Sequence, residues 1–201
     1  MPARIDPDQR RRDVIDAAFR CVVAEGLEGV SFRKVAAAAG LNVGSVRHYF
    51  ADHHDLLTAA AQEAGDRMGA RLAGHPTDRL RGLKGQSAVD ALQDLIESVM
   101  PVDSPRRDEA IVIIELIAAS RTKPELAETS QRMAADLSAV IREALDALGV
   151  PDADTVTGQI AAVIGGLTLD AVTPHGGLTV ARVRAVLRAQ LSMVLTGGVQ
   201  R

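Results

Sequence analysis

Aromatic side chains are almost missing from this 201-residue chain, which has no Trp, one Tyr and three Phe. All of them (Phe19, Phe32, Tyr49 and Phe50) stand in residues 1–50. The rest of the chain therefore cannot build an aromatic cage around a quaternary ammonium, nor stack a planar molecule between rings. Cysteine is scarcer still. Cys21 is alone, which excludes an internal disulfide, and on the apolar face of a helix it reads as a small core residue rather than a nucleophile. No apolar run approaches the ~20 residues needed to cross a bilayer. The opening MPARIDPDQRRRD has none of the apolar stretch of a signal peptide, so a cytoplasmic protein without membrane contact is expected. A Gly-rich phosphate loop, a zincin pattern and a nucleophile with an evident base are also absent, so neither an enzyme nor a cofactor is expected. His53-His54-Asp55 has metal-ligand residue types. Adjacent helical side chains diverge by about 100°, however, and no metal is expected there.

What is present is the composition of a helical globular protein, 47% hydrophobic and 24% charged, with a formal net charge of -3. Residues 1–50 hold eight Lys/Arg against six Asp/Glu, and the remainder holds 15 against 20. A slightly basic head on an acidic body suits contact with a polyanion at one end only.

Asp6-Pro7-Asp8-Gln9 opens the first helix, with Asp6 as N-cap, Pro7 in the first turn and Gln9 closing a capping box. Val14, Ala17, Ala18, Cys21 and Val22 then form one buried stripe, ended by Gly26 and Gly29. Ser31 caps a second helix that turns Phe32, Val35 and Ala36 inward, and Gly40 breaks it where a left-handed residue is wanted. Asn42 caps a third helix. Asp52, with Asp55 three residues on, caps a fourth that runs to about Leu72. Residues 1–52 thus read as a three-helix domain and residues 53–201 as a second domain, with helix 53–72 connecting them. Beyond a loop marked by Gly74, His75, Pro76, Gly82 and Gly85, five more helices are expected at about 87–99, 106–120, 124–148, 152–172 and 179–196. Pro101, Pro105, Pro124, Pro151 and Pro174 fall at or beside the breaks. The fold class is all-α, with about nine helices in all.

The second and third helices, broken by Ala39-Gly40-Leu41, read as a helix-turn-helix. In that motif the second helix presents its N-terminal residues to base edges in the major groove of DNA. Asn42, Val43, Ser45 and Arg47 occupy it, and Gly44 leaves it free to approach a duplex. Arg47 suits guanine or phosphate, and His48 and Tyr49 suit phosphate hydrogen bonds. Ser31, Arg33 and Lys34 open the preceding helix, where N–H groups and positive charge also favour phosphate. Phe32 and Phe50 read as core anchors.

The segment from about Arg11 to Leu57 resembles the DNA-binding domain of TetR-family regulators. The matching parts are Gly26 to Val30, Ser31, Ala39-Gly40-Leu41, Gly44-Ser45, Tyr49-Phe50, Asp52 and Leu56-Leu57. Glu115-Leu116, Arg121-Thr122 and Pro124-Glu125-Leu126 look like a segment that recurs in the family, and the layout is as similar to its choline-responsive branch as to any other. Two departures stand out. Arg47 replaces the usual Tyr of the recognition segment, and His53 replaces the usual Lys opening the fourth helix, which removes a fixed positive charge.

The resemblance implies a C-terminal ligand-binding and dimerisation domain. It also implies a homodimeric repressor that binds a palindromic double-stranded operator and is released by a small molecule acting through the fourth helix. Glu115 interrupts the apolar run Ile111–Ile117, either as a partly buried structural acid paired with Arg121 or another base, or as a polar contact in an effector cavity. Met100, Arg121, Gln159, Thr168 and His175 are further cavity candidates. The last two helices are expected to form the dimer interface. There Ala161, Ala162, Gly165 and Gly166 permit close approach, and Leu169, Val183, Leu187, Leu191 and Val194 supply apolar area. With no aromatics available, the expected effector is aliphatic or of mixed polarity. The alternative is a helical small-molecule-binding dimer without DNA-binding activity, which would need none of Arg33, Lys34, Arg47 and His48.

Overall fold

The computed structural model describes residues 6–196. Among these residues lie nine α-helices: α1 (Pro7–Glu25), α2 (Phe32–Ala39), α3 (Val43–Tyr49), α4 (His53–Ala73), α5 (Gly85–Glu97), α6 (Ser104–Ser120), α7 (Pro124–Leu148), α8 (Ala153–Val172) and α9 (Val180–Thr196). Short 3-10 turns occupy Leu27–Gly29 and Thr77–Leu80. The expected breaks fall within a few residues of these bounds.

The chain divides into two compact units, and neither is a single stretch of sequence. The first comprises the described residues up to Gly65 together with Ile111–Ser130, and the second comprises Asp66–Ala110 and Gln131 onward. The division differs from the expected one at residue 52. It does so because Val112, Leu116 and Leu126 share a core with Val14, Phe19, Val35, Val46, Phe50 and Leu56. Hydrophobic periodicity marks these positions as buried but cannot say against what.

Local caps set the helix ends of the first unit. Asp6 accepts from the N–H of Asp8 at 3.0 Å. The expected capping box does not close, because the amide of Gln9 donates to Asp13 and its oxygen accepts from Arg12, each at 3.0 Å. Ser31 Oγ accepts from the N–H of Lys34 at 3.3 Å. Gly40, at φ 67° and ψ 31°, supplies the left-handed residue that ends α2, where a side chain would be strained. Asp52 and Asp55 close a reciprocal pair. Asp52 accepts from the N–H of Asp55, and Asp55 from the N–H of Ala51, both at 2.9 Å. Cys21 is buried in the core, and that burial, with the nearby charge of Glu25, pushes its thiol above the ordinary range. The expected core role fits this; a reactive thiolate does not.

In the second unit, Leu92, Leu95, Ile96 and Met100 pack with Ile141, Leu145, Ile160, Val183, Leu187 and Leu191. Arg71 grips the carboxylate of buried Glu109 with both terminal nitrogens, one bond being 3.2 Å, and its Nε donates to the carbonyl of Ser98 at 2.8 Å. The α8 helix, 20 residues long with a mean hydropathy of 1.4, is long and apolar enough to cross a membrane by length and composition, contrary to the expectation of no such run. One side of it, Ile160, Ile164, Leu167 and Ala171, belongs to the core of this unit. The other side, Gly158, Gln159, Ala162, Gly165, Gly166 and Leu169, is exposed. Apolar or small residues on both sides raise the mean.

Candidate nucleic-acid interface

Only one side of α3 packs. Val46 and Phe50 are fully buried, while Gly44, Arg47 and His48 are exposed and Val43, Ser45 and Tyr49 half-buried. Asn42 fixes the start of the helix, since its Oδ1 accepts from the N–H of Ser45 at 2.8 Å and contacts Ser45 Oγ at 3.2 Å. A Cβ on Gly44 would come within 3.2 Å of that same oxygen, so the glycine spares the cap as well as leaving the helix approachable. At the other end, Phe50 N–H donates to Val46 O at 3.1 Å. The guanidinium of Arg11 lies 5.1 Å from the centroid of the Phe50 ring. His48 and Tyr49 meet edge to face at 5.2 Å.

Two grooves border the exposed side of α3. One is lined by Arg10, Leu41, Asn42, Gly44, Ser45, His48 and Tyr49. The other is lined by Val30, Ser31, Phe32, Arg47, Ala51, Asp52 and His53. Most of the residues expected to contact DNA therefore gather around one short helix. Arg33 lines neither groove but is exposed. Lys34 differs from expectation because its ammonium is ion-paired with Glu25. Both partners are nearly half exposed, so the pair is worth at most about 1 kcal/mol and is exchangeable. Val43 also differs, packing against the core of the unit. Arg10 is a groove residue that the sequence reading missed; the signal was the Arg10-Arg11-Arg12 run. Among the described residues, no carboxylate neutralises Arg10, Arg33 or Arg47.

The turn before α2 is held by residues far along the chain. Leu27 N–H donates to Glu115 Oε2 at 3.2 Å, and Glu28 pairs with Lys123 at 2.7 Å. The hydrogen bond from Lys123, with its charge, holds the Glu28 carboxyl below the usual range. His54 lies 3.3 Å from Glu125. Glu115 is thus bound to the α1–α2 turn, and its partner is the Leu27 amide rather than Arg121 or another base. The other cavity candidates are not brought together. Arg121, in the first unit, is exposed, as are Gln159 and His175 in the second, whereas Met100 and Thr168 are buried there.

The interface expectation is also corrected for part of α9. Val183, Leu187 and Leu191 are fully buried in the core of their own unit and have no surface to offer a partner. Ala162, Gly166 and Leu169 on α8 remain exposed, and Val194 is half-buried.

Residues 14–60 match the model of the bacterial regulatory proteins of the tetR family, and residues 88–196 match the BetI-type transcriptional repressor C-terminal domain. The chain belongs to the TetR family. This is a family of transcription regulators, not enzymes. The chain is similar to the HTH-type transcriptional regulator PksA of Bacillus subtilis, 30% identical over 133 residues, which are 65% of this chain and 60% of PksA. The chain thus spans well under two-thirds of that relative's length. A transcriptional regulator from Rhodococcus sp. Rha1 superposes with a TM-score of 0.82 at 28% identity, covering 93% of this chain and 96% of that one. A regulator from Saccharomonospora viridis, solved in complex with choline, shares the fold with a TM-score of 0.69 at 23% identity, covering 90% and 95% of the two chains.

Proposed function

We propose that this TetR-family chain is a cytoplasmic repressor that binds a palindromic DNA operator as a homodimer and is released by a small molecule. The observation that carries the DNA-binding reading is the outward side of α3. There Gly44, Arg47 and His48 are exposed on a helix pinned from behind by Val46 and Phe50, with unneutralised Arg10 lining the groove beside it. A surface helix kept for stability alone needs no unpaired guanidinium groups around it. A helix entering a major groove uses them for guanine edges and phosphates. Arg47→Ala is expected to weaken operator binding by about 1–3 kcal/mol and to relax base preference at one position of each half-site. Gel-shift titration of the full chain against a duplex selected from a random pool measures both. Wild-type affinity and preference in the variant would remove α3 from the recognition role.

The homodimer rests on α8. A Cβ added at Gly158, Gly165 or Gly166 would meet open space among the described residues. Each glycine in a helix interior costs roughly 0.5–1 kcal/mol relative to alanine. Nothing in the subunit's own packing repays that cost, whereas a second helix approaching closely would. A dimer of this motif reads two half-sites about 34–36 Å apart on a palindromic duplex. Release requires an effector that favours a form unable to reach both half-sites, since equal affinity for the two forms shifts nothing.

The effector differs in kind from the choline held by the Saccharomonospora protein. Residues 51–201 contain no Phe, Tyr or Trp, so the C-terminal domain has no ring faces for a quaternary ammonium. Calorimetric titration of the full chain with millimolar choline is expected to show no saturable binding. A dissociation constant in the micromolar range would overturn the assignment of an aliphatic or mixed-polarity effector.

A further inference from the structure

We propose that Arg10, on α1 rather than on the helix-turn-helix, is a phosphate-binding residue that grips the DNA backbone on the flank of α3 opposite Ser31 and His53. The proposal rests on the DNA-binding reading above and adds a contact to it. Three observations converge on this residue.

The first is position. Arg10 lines the same groove as Asn42, Gly44, Ser45, His48 and Tyr49, while Arg47 and His53 line the other. A backbone contact in each groove would hold α3 from both sides, leaving its exposed edge free for bases. Phosphate contacts of this kind fix register and orientation without reading sequence.

The second is electrostatic. Arg10, Arg11 and Arg12 sit in the first two turns of α1, where the unpaired N–H groups already make the helix end positive and where cations are disfavoured. Two of them find compensation within the fold. Arg12 donates to Gln9, and Arg11 lies over the Phe50 ring. Arg10 has no such partner among the described residues, and its N–H is spent on Asp6 O at 3.0 Å. A guanidinium kept in an unfavourable place beside a recognition helix, without an internal counter-charge, is complementary to an external anion. The planar fork of arginine matches the phosphate oxygens.

The third is rigidity. Phe50 is 1% exposed and caps α3. The Arg11 stack on it therefore fixes the first turns of α1 against the end of the recognition helix, so Arg10 is pre-placed rather than swinging on a loose arm.

The test compares full-length wild type, Arg10→Ala, Arg10→Lys and Arg47→Ala. Each is titrated with the duplex that wild type selects from a random pool and with a scrambled duplex of equal length, over a range of salt concentrations. Arg10→Ala is expected to lose about ten-fold in affinity for both duplexes alike, with a salt slope shallower by about one unit per bound subunit. Arg10→Lys is expected to recover the slope, and Arg47→Ala to change base preference instead. Unchanged melting of Arg10→Ala would show that the loss is not one of folding. If wild type binds its selected duplex and Arg10→Ala matches it in affinity and slope, the backbone contact is overturned while the DNA-binding reading stands. If Arg10→Ala alters base preference rather than uniform affinity, the residue reads bases and the phosphate role is overturned. If wild type selects no duplex, the DNA-binding reading itself fails and this contact with it.

Discussion

Phe50→Ala is expected to destabilise the DNA-binding unit by about 3–5 kcal/mol, the range for removing a buried phenyl ring. The ring is 1% exposed, packs in the core shared by α1, α2, α3 and the front of α4, and carries the Arg11 guanidinium at 5.1 Å. Its backbone N–H also closes α3 on Val46 O. A seven-residue helix has no stability of its own in water, so losing its buried anchor removes the surface as well as the packing. Urea denaturation followed by circular dichroism measures the stability, and operator titration of the same sample measures the loss of binding. A decrease under about 1 kcal/mol would mean that the site collapses around the gap and that Phe50 is not the anchor.

If the proposed dimer forms through α8, Gly166→Leu is expected to leave a monomer and to lower operator affinity by on the order of 10²–10⁴-fold, the gain that two linked half-site contacts provide. Because a Cβ at this position meets nothing among the described residues, the substitution is expected to leave the isolated subunit folded and relieves it of a helical glycine. The leucine would instead stand between two helices that must come close. Sedimentation analysis separates the outcomes, with Gly166→Ala as the small control expected to stay dimeric. A dimer that persists in Gly166→Leu would place the interface elsewhere.

The features legible in the sequence are those decided by neighbours along the chain. Asp6, Ser31, Asn42 and Asp52 act as caps because a short polar side chain reaches only the N–H groups two or three residues on. Gly40 is legible because a left-handed residue between two short helices leaves few alternatives. Gln9 departs from its expected capping role because Asp13 and Arg12, one turn on, hold its side chain. Three features depend on contacts distant in sequence, and these were not legible. Residues 111–130 pack with the first three helices, Glu115 is bound to the amide of Leu27, and Val183, Leu187 and Leu191 face their own core rather than a partner. For α9 the difficulty is one of pattern. An apolar stripe reports that something covers it, not whether the cover is the same chain or another copy. Arg10 is not legible because a basic run in the first turns of α1 does not say which of its side chains borders α3.

The grip of Glu115 and Lys123 on the turn between α1 and α2 bears on how regulators of this type can be cut and recombined. A head excised after Gly65 would leave the amide of Leu27 without its acceptor and the bed of Val112, Leu116 and Leu126 empty. A chimera that transplants this operator specificity onto another effector domain therefore has to carry the corner from Ile111 to Ser130 with it, or rebuild that corner's contacts in the recipient.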